Sequence, residues 1–224
     1  MFSTFTPYPG SQSGVSLATG MVEFGSGRET IVTAPGPGDA PLIKSFRWDL
    51  YTPTARSQAN GTSTDHATKP NEPRMTSNFL AYDEKYKDGV ALSTGWVAGG
   101  EGGAMSIITS QLAGAGTVRV WSTGSKLDGQ PSMYLDNPNH HEENIEYAEI
   151  ASFAPFGGPT PGATVATSST VYGADLLVAG TTPGGQEVRK YTLQRPAPDA
   201  TTLVPKLIAT LPKLPTGPTP LGGR

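Results

Sequence analysis

Phe79-Leu80-Ala81-Tyr82 is one of three copies of an aromatic-x-Pro/Ala-aromatic phrase in this chain. Phe5-Thr6-Pro7-Tyr8 stands 74 positions before it, and Phe153-Ala154-Pro155-Phe156 stands 74 positions after it. Self-similarity at a constant period signals stacked supersecondary units that cannot bury their apolar faces alone.

Outward from each phrase the same order of elements recurs. A small-residue, β-branched stretch comes first: Gly14–Gly20 (GVSLATG), Gly89–Gly95 (GVALSTG) and Gly162–Ser168 (GATVATS). Beyond a Gly-rich loop lies a short apolar run, Thr30–Ala34, Ser106–Ser110 and Asp175–Ala179. A second Gly turn leads into a run that alternates apolar with basic or polar and ends on an aromatic. Its copies are Ile43-Lys44-Ser45-Phe46, Val118-Arg119-Val120-Trp121 and Val188-Arg189-Lys190-Tyr191. Short Val, Ile, Thr and aromatic runs punctuated by Gly and Pro are strands and turns. Counted with the lead phrase, each repeat holds about four strands, the content of one propeller blade. The small-residue strands fit the crowded axis, and the run with the bulky aromatic suits a wider, more exposed position. A β-sandwich also has short, regularly spaced strands, but it has no reason to repeat one phrase at a fixed period. One short helix is expected from Asn137-Pro138 to Ala148, with Pro138 at the first helical position.

The fold expected is therefore all-β: a β-propeller-type array of three four-stranded, blade-like repeats, incomplete or open. The array spans residues 1–195, with repeats near 5–78, 79–152 and 153–211 and a polar insertion at 52–77. A Pro-rich extended tail occupies 196–224. It holds seven of the chain's 21 prolines, a spacing that favours extended chain lying along a surface. Thr210-Leu211-Pro212 reads as a worn fourth copy of the lead phrase.

The segments FLAYDEKYKDGVALSTG and SIITSQLAGAGTVRVW of the second repeat resemble the FG-GAP repeat of bacterial surface proteins and, more distantly, of integrin α-subunit propellers. The first repeat is similar, and the third is more degenerate. The resemblance implies a propeller that serves adhesion, ligand binding or scaffolding. Many members of that family hold calcium between the first two strands, with carboxylates at alternate loop positions. The corresponding loops here, Met21–Glu29, Trp96–Ala104 and Ser169–Asp175, keep the glycines but few of the acids. Glu23 and Glu29 are the residual candidates, and the expectation is structural turns with no metal and no cofactor.

Composition narrows the function classes. A formal net charge of −3 and a pI of about 5.6 argue against a nucleic-acid partner. The lack of cysteine excludes disulfides, thiolate metal sites and thiol nucleophiles. No apolar run approaches the length of a membrane span, and the segment starting Met1-Phe2-Ser3 has no signal-peptide pattern. The FG-GAP resemblance implies an extracellular, cell-surface or periplasmic setting.

Chemistry-bearing clusters are few. His140 and His141 sit beside Glu142, Glu143, Glu146 and Glu149, a weak metal candidate that reads as a solvated acidic loop. His66 and the sequon Asn60-Gly61-Thr62 fall in the polar insertion. Gly10-Ser11-Gln12-Ser13-Gly14 has Gln where a nucleophile elbow needs Ser. Pro37 and Pro41 deprive the Gly36–Gly38 turn of phosphate donors. A basic column, Lys44, Arg119 and Arg189, is either an anion-receiving ring or the solvent side of alternating strands.

The function expected is a non-catalytic structural or interaction module that docks onto a larger complex or surface assembly through a protein partner or self-association. The alternative is a carbohydrate- or polymer-binding propeller domain, although Trp48, Trp96 and Trp121 do not share one repeat column. Closed propellers use about 4–8 blades, so three repeats are not expected to close alone.

Overall fold

The computed structural model describes residues 4–23, 29–47, 73–97, 104–123, 145–158, 162–170, 173–182, 184–197 and 200–211. These form twelve strands in three four-stranded antiparallel sheets, each ordered as in the sequence. Sheet 1 holds β1 (Val15–Gly20), β2 (Thr30–Pro35), β3 (Leu42–Arg47) and β4 (Arg74–Leu80). Sheet 2 holds β5 (Val90–Gly95), β6 (Ser106–Gln111), β7 (Val118–Thr123) and β8 (Tyr147–Phe153). Sheet 3 holds β9 (Ala163–Thr170), β10 (Gly173–Thr182), β11 (Gly185–Gln194) and β12 (Val204–Leu211). No helix occurs among the described residues.

The registers make the repeat exact to the residue. Ile43 pairs with Phe79, Val118 with Phe153, and Val188 with Leu211, so Leu211 holds the lead-aromatic position of a fourth copy. Each sheet also carries a bulge at one equivalent place, between Ser45/Phe46, Val120/Trp121 and Lys190/Tyr191. The extra residue lies on the outer strand: Thr76, Ile150 or Ile208. Such a bulge bends the strand and re-aims one side chain.

The first strands β1, β5 and β9 lie side by side, and the apolar core sits at the two junctions between sheets. Val32, Ile43, Val90, Ile107 and Trp121 close the junction of sheets 1 and 2. Ile108, Ile150, Ala163, Leu176 and Tyr191 close that of sheets 2 and 3. Each such aliphatic side chain stabilises by about 1.5–3 kcal/mol when fully removed from water. A single four-stranded sheet therefore buries little by itself; it is stable against its neighbour.

Hydroxyl ladders tie the first strands together. Thr94 Oγ1 donates to the carbonyl of Thr19, and Thr167 Oγ1 donates to that of Thr94 at 2.7 Å. This approach explains the glycines that follow Thr19 and Thr94. A Cβ on Gly95 would lie 2.8 Å from Thr167 Cγ2, and one on Gly20 would lie 2.9 Å from Thr94 Oγ1. Ser110 Oγ adds a 2.8 Å bond to the carbonyl of Ala163 across the second junction.

Several expectations need correction. The lead phrase does not open the sheet that follows it: Phe79 and Phe153 end β4 and β8, which pair back onto the preceding sheet. Phe5-Thr6-Pro7-Tyr8 is not a strand. The aromatics Phe46, Trp121 and Tyr191 are buried rather than exposed: Trp121 and Tyr191 pack into the junction with the preceding sheet, and Phe46 lies against Phe5. Tyr147 and Ala148, the end of the expected helix, belong to β8, and residues 137–144 lie outside the described residues. Residues 204–211, assigned to the tail, form β12 and complete sheet 3, while 212–224 lie outside the description. Residues 74–77 of the insertion belong to β4; its remainder up to residue 72, with Asn60 and His66, is not described.

Candidate interaction surfaces

Each member of the basic column caps one lead phrase. Lys44 Nζ lies 4.8 Å from the Tyr8 ring centroid, Arg119 Cζ 5.0 Å from that of Tyr82, and Arg189 Cζ 4.9 Å from that of Phe156. A cation over an aromatic face is held by the ring quadrupole. The same groups donate to the carbonyl before that ring: Lys44 to Pro7 at 2.7 Å, Arg119 to Ala81 at 3.1 Å, and Arg189 to Pro155. The phrase's first aromatic packs on the third-strand aromatic at 4.9 Å (Phe5–Phe46), 4.8 Å (Phe79–Trp121) and 5.1 Å (Phe153–Tyr191). The phrase is thus a strap that each sheet clamps at two points.

The Tyr hydroxyls extend the clamp. Tyr8 Oη lies 2.9 Å from the Thr33 carbonyl and 2.8 Å from that of Leu42, which share its one proton, and Tyr82 Oη donates to that of Thr117 (2.8 Å). Tyr82 Oη also lies 3.2 Å from Thr109 Oγ1. In sheet 3 the ring is Phe156, and the position of Thr33 and Thr109 is the buried apolar Val178. The polar pair changes to an apolar pair together, leaving no buried hydroxyl without a partner. Burial pushes the Tyr8 phenol up to about 12 and raises those of Tyr82 and Tyr147 as well.

The metal candidates are dispersed. Glu23 is buried, accepting from Arg47 Nη1 at 2.9 Å on one carboxylate oxygen and from Thr76 Oγ1 on the other. Glu29 is exposed, and His140 and His141 lie outside the described residues, as does Trp48. Among the described residues no group of three His, Cys, Asp or Glu is gathered. Periodicity did not reveal the Glu23–Arg47 pair, since it occurs in sheet 1 alone. Ser11 Oγ and Ser13 Oγ both donate to Asp39, at 2.5 and 2.6 Å, and these bonds lower its pKa.

One cleft, of about 310 Å³, opens beside the junction of sheets 2 and 3, lined by Leu112, Gly162, Thr164, Gly180, Gln186 and Glu187 among others. Its floor is a backbone approach that needs glycine: Gly162 has φ +100°, and a Cβ there would overlap the Leu112 carbonyl. Glu187 is bound to Arg189 Nε at 2.5 Å, and this bond raises the Arg189 pKa.

The exposed apolar residues concentrate at the two ends. On sheet 1, Val15 and Leu17 are 46% and 63% exposed, whereas Val90 is 0% exposed at the position of Val15 in sheet 2. On sheet 3, Ile208 is 50% exposed, whereas the equivalent bulge residues Thr76 and Ile150 are 0% and 2% exposed. No helix among the described residues is long and apolar enough to cross a membrane. No family model, curated protein or solved structure matches the chain.

Proposed function

We propose that the three sheets are consecutive blades of a β-propeller of the FG-GAP type, and that the chain is a non-catalytic structural or interaction module. It docks onto a larger complex or extracellular assembly through its end faces and its Pro-rich tail. The observation that carries this reading is the division of labour on the surface. The repeated charged residues Lys44, Arg119 and Arg189 are engaged by the chain's own lead phrases, while apolar side chains stand open at both ends. Exposed apolar groups that have covered equivalents inside the same array are interface material.

The alternative, a carbohydrate-binding propeller, is favoured by the cleft beside Gly162, where Thr164, Thr181 and Gln186 offer exposed polar groups. A glycan array on the 224-residue chain decides between them. The docking reading expects no saturable binding. Saturable binding to one sugar class, abolished by Gln186→Ala, would replace it with the carbohydrate reading.

A further inference from the structure

Both open ends have internal templates, and the templates say what covers them. At each internal junction the leading sheet presents one face and the following sheet another. The leading face is drawn from its second and third strands and the bulge of its fourth. Val32, Ile43 and Thr76 form it in sheet 1, and Ile108, Val118 and Ile150 in sheet 2; all are buried. In sheet 3 the same positions are Leu177, Val188 and Ile208, none of them buried. The following face runs through alternate residues of the first strand. Val90 and Leu92 form it in sheet 2, Ala163 and Val165 in sheet 3; they pack into the two cores. In sheet 1 the same positions are the exposed Val15 and Leu17.

Backbone bonding at the bulge follows the same rule. Ile145 N–H donates to the Thr76 carbonyl at 3.1 Å, and Leu203 N–H to the Ile150 carbonyl at 2.6 Å. The third member of the series, Ile208, is 50% exposed. The threonine ladder begins at Thr19, likewise exposed, at the sheet 1 end.

We infer that sheet 3 of one chain docks onto sheet 1 of a second copy, and sheet 3 of the second copy onto sheet 1 of the first. The two junctions thus formed are built like the internal ones and close six sheets. This rests on reading the sheets as propeller blades. A leading face and a following face on one molecule make a head-to-tail contact, which forms a ring when the rotation closes. Six sheets fall inside the usual range of about 4–8 blades.

Two details shape the junction. Lys190 and Asp175 stand on the leading face of sheet 3 where sheets 1 and 2 have smaller groups. Their 2.6 Å ion pair closes the charges on each other, so a covering sheet need supply no counter-charge. Leu211 and Phe5 are equivalent positions and meet at the junction. Phe5, packed on the Phe46 ring, keeps the place, and Leu211, the last residue of β12, gives way.

Light scattering on the full chain across a range of concentrations tests the inference, with circular dichroism to confirm that each variant keeps its strand spectrum. The expected mass is twice 23.3 kDa. Leu17→Glu and Ile208→Lys, both at exposed positions, should each yield folded monomers. Mixed in equal amounts, they should recover a dimer with one of each, because one of its two junctions is unaltered. A wild-type monomer at every concentration would overturn the inference, as would an open series of larger species. A variant that stays dimeric alone, or a mixture that stays monomeric, would show a different contact and overturn it too. A monomer would leave the docking reading standing, whereas saturable sugar binding would remove that reading whatever the mass.

Discussion

The Arg119 guanidinium lies over the Tyr82 ring, 5.0 Å from its centroid, and donates to the carbonyl of the residue just before that ring. Lys44 and Tyr8 repeat the arrangement in sheet 1. Since the site accepts either cation, Arg119→Lys should cost well under 1 kcal/mol; it even removes the buried Nε, which has no hydrogen-bond partner. Arg119→Ala should cost about 1–2 kcal/mol through the lost stack and bond. Denaturant melts of the two variants check this, and equal losses would show that the cation is irrelevant.

Sheet 3 shows how the Tyr8–Thr33 pair can be replaced. Tyr8→Phe should cost about 1–2 kcal/mol, since it removes the donor that serves the Thr33 and Leu42 carbonyls, and Thr33→Val about 0.5–1 kcal/mol, since it removes only the hydroxyl contact between the two side chains. The double variant copies Phe156 and Val178 and should lose about 0.5–1 kcal/mol less than the sum. Strict additivity in the double-mutant cycle would deny the coupling.

Gly95→Ala places a methyl 2.8 Å from Thr167 Cγ2 and 2.9 Å from its Cβ. Overpacking at this junction should cost about 1–3 kcal/mol and raise hydrogen exchange in β9. Gly158→Ala, with nothing within 4 Å, should stay within about 0.5 kcal/mol of wild type. Similar melting of both variants would count against the close approach.

Glu23 and Arg47 form a buried ion pair with side chains 1% and 10% exposed. Glu23→Gln removes this charge from beside the guanidinium and should cost about 3 kcal/mol, or roughly 6–12 °C in melting temperature. A calcium chelator should leave wild-type melting unchanged, since Arg47 and Thr76 already occupy this carboxylate. A clear fall in melting temperature on chelation would reassign the loop to metal binding.

Alkaline pH should unfold the chain through its buried phenols. Tyr8 is raised from 10.0 to about 12 by burial, so between those values the unfolded state has lost the proton that the folded state keeps. Stability is therefore intact below about pH 10 and falls as pH rises towards 12. Tyr8→Phe should flatten that slope. Phenolate absorbance followed together with circular dichroism reads it, and free ionisation of every tyrosine near pH 10 without unfolding would refute it.

The local grammar of this protein is written in its sequence. Thr, Val and Ile runs between Gly turns define the strands, and the 74-residue spacing of Phe5, Phe79 and Phe153 defines the repeat. These features depend on neighbouring residues only, which is why a linear reading finds them. The small residues of β1, β5 and β9 were legible for the same reason: space is short wherever strands crowd. Partnership across the fold was not. Phe79 belongs by hydrogen bonding to sheet 1 and by packing to Trp121 of sheet 2, a double allegiance that no spacing encodes. Lys44, Arg119 and Arg189 read as an anion-receiving ring or as the solvent side of alternating strands, and only the returning phrase shows that each is already engaged. Glu23 looked like a remnant ligand until folding brought Arg47 and Thr76, 24 and 53 positions away, onto its two oxygens. The sequence by itself set what each segment would become. The tertiary structure decided which faces meet and which stay open, because burial and pairing depend on atoms that chain closure alone brings together.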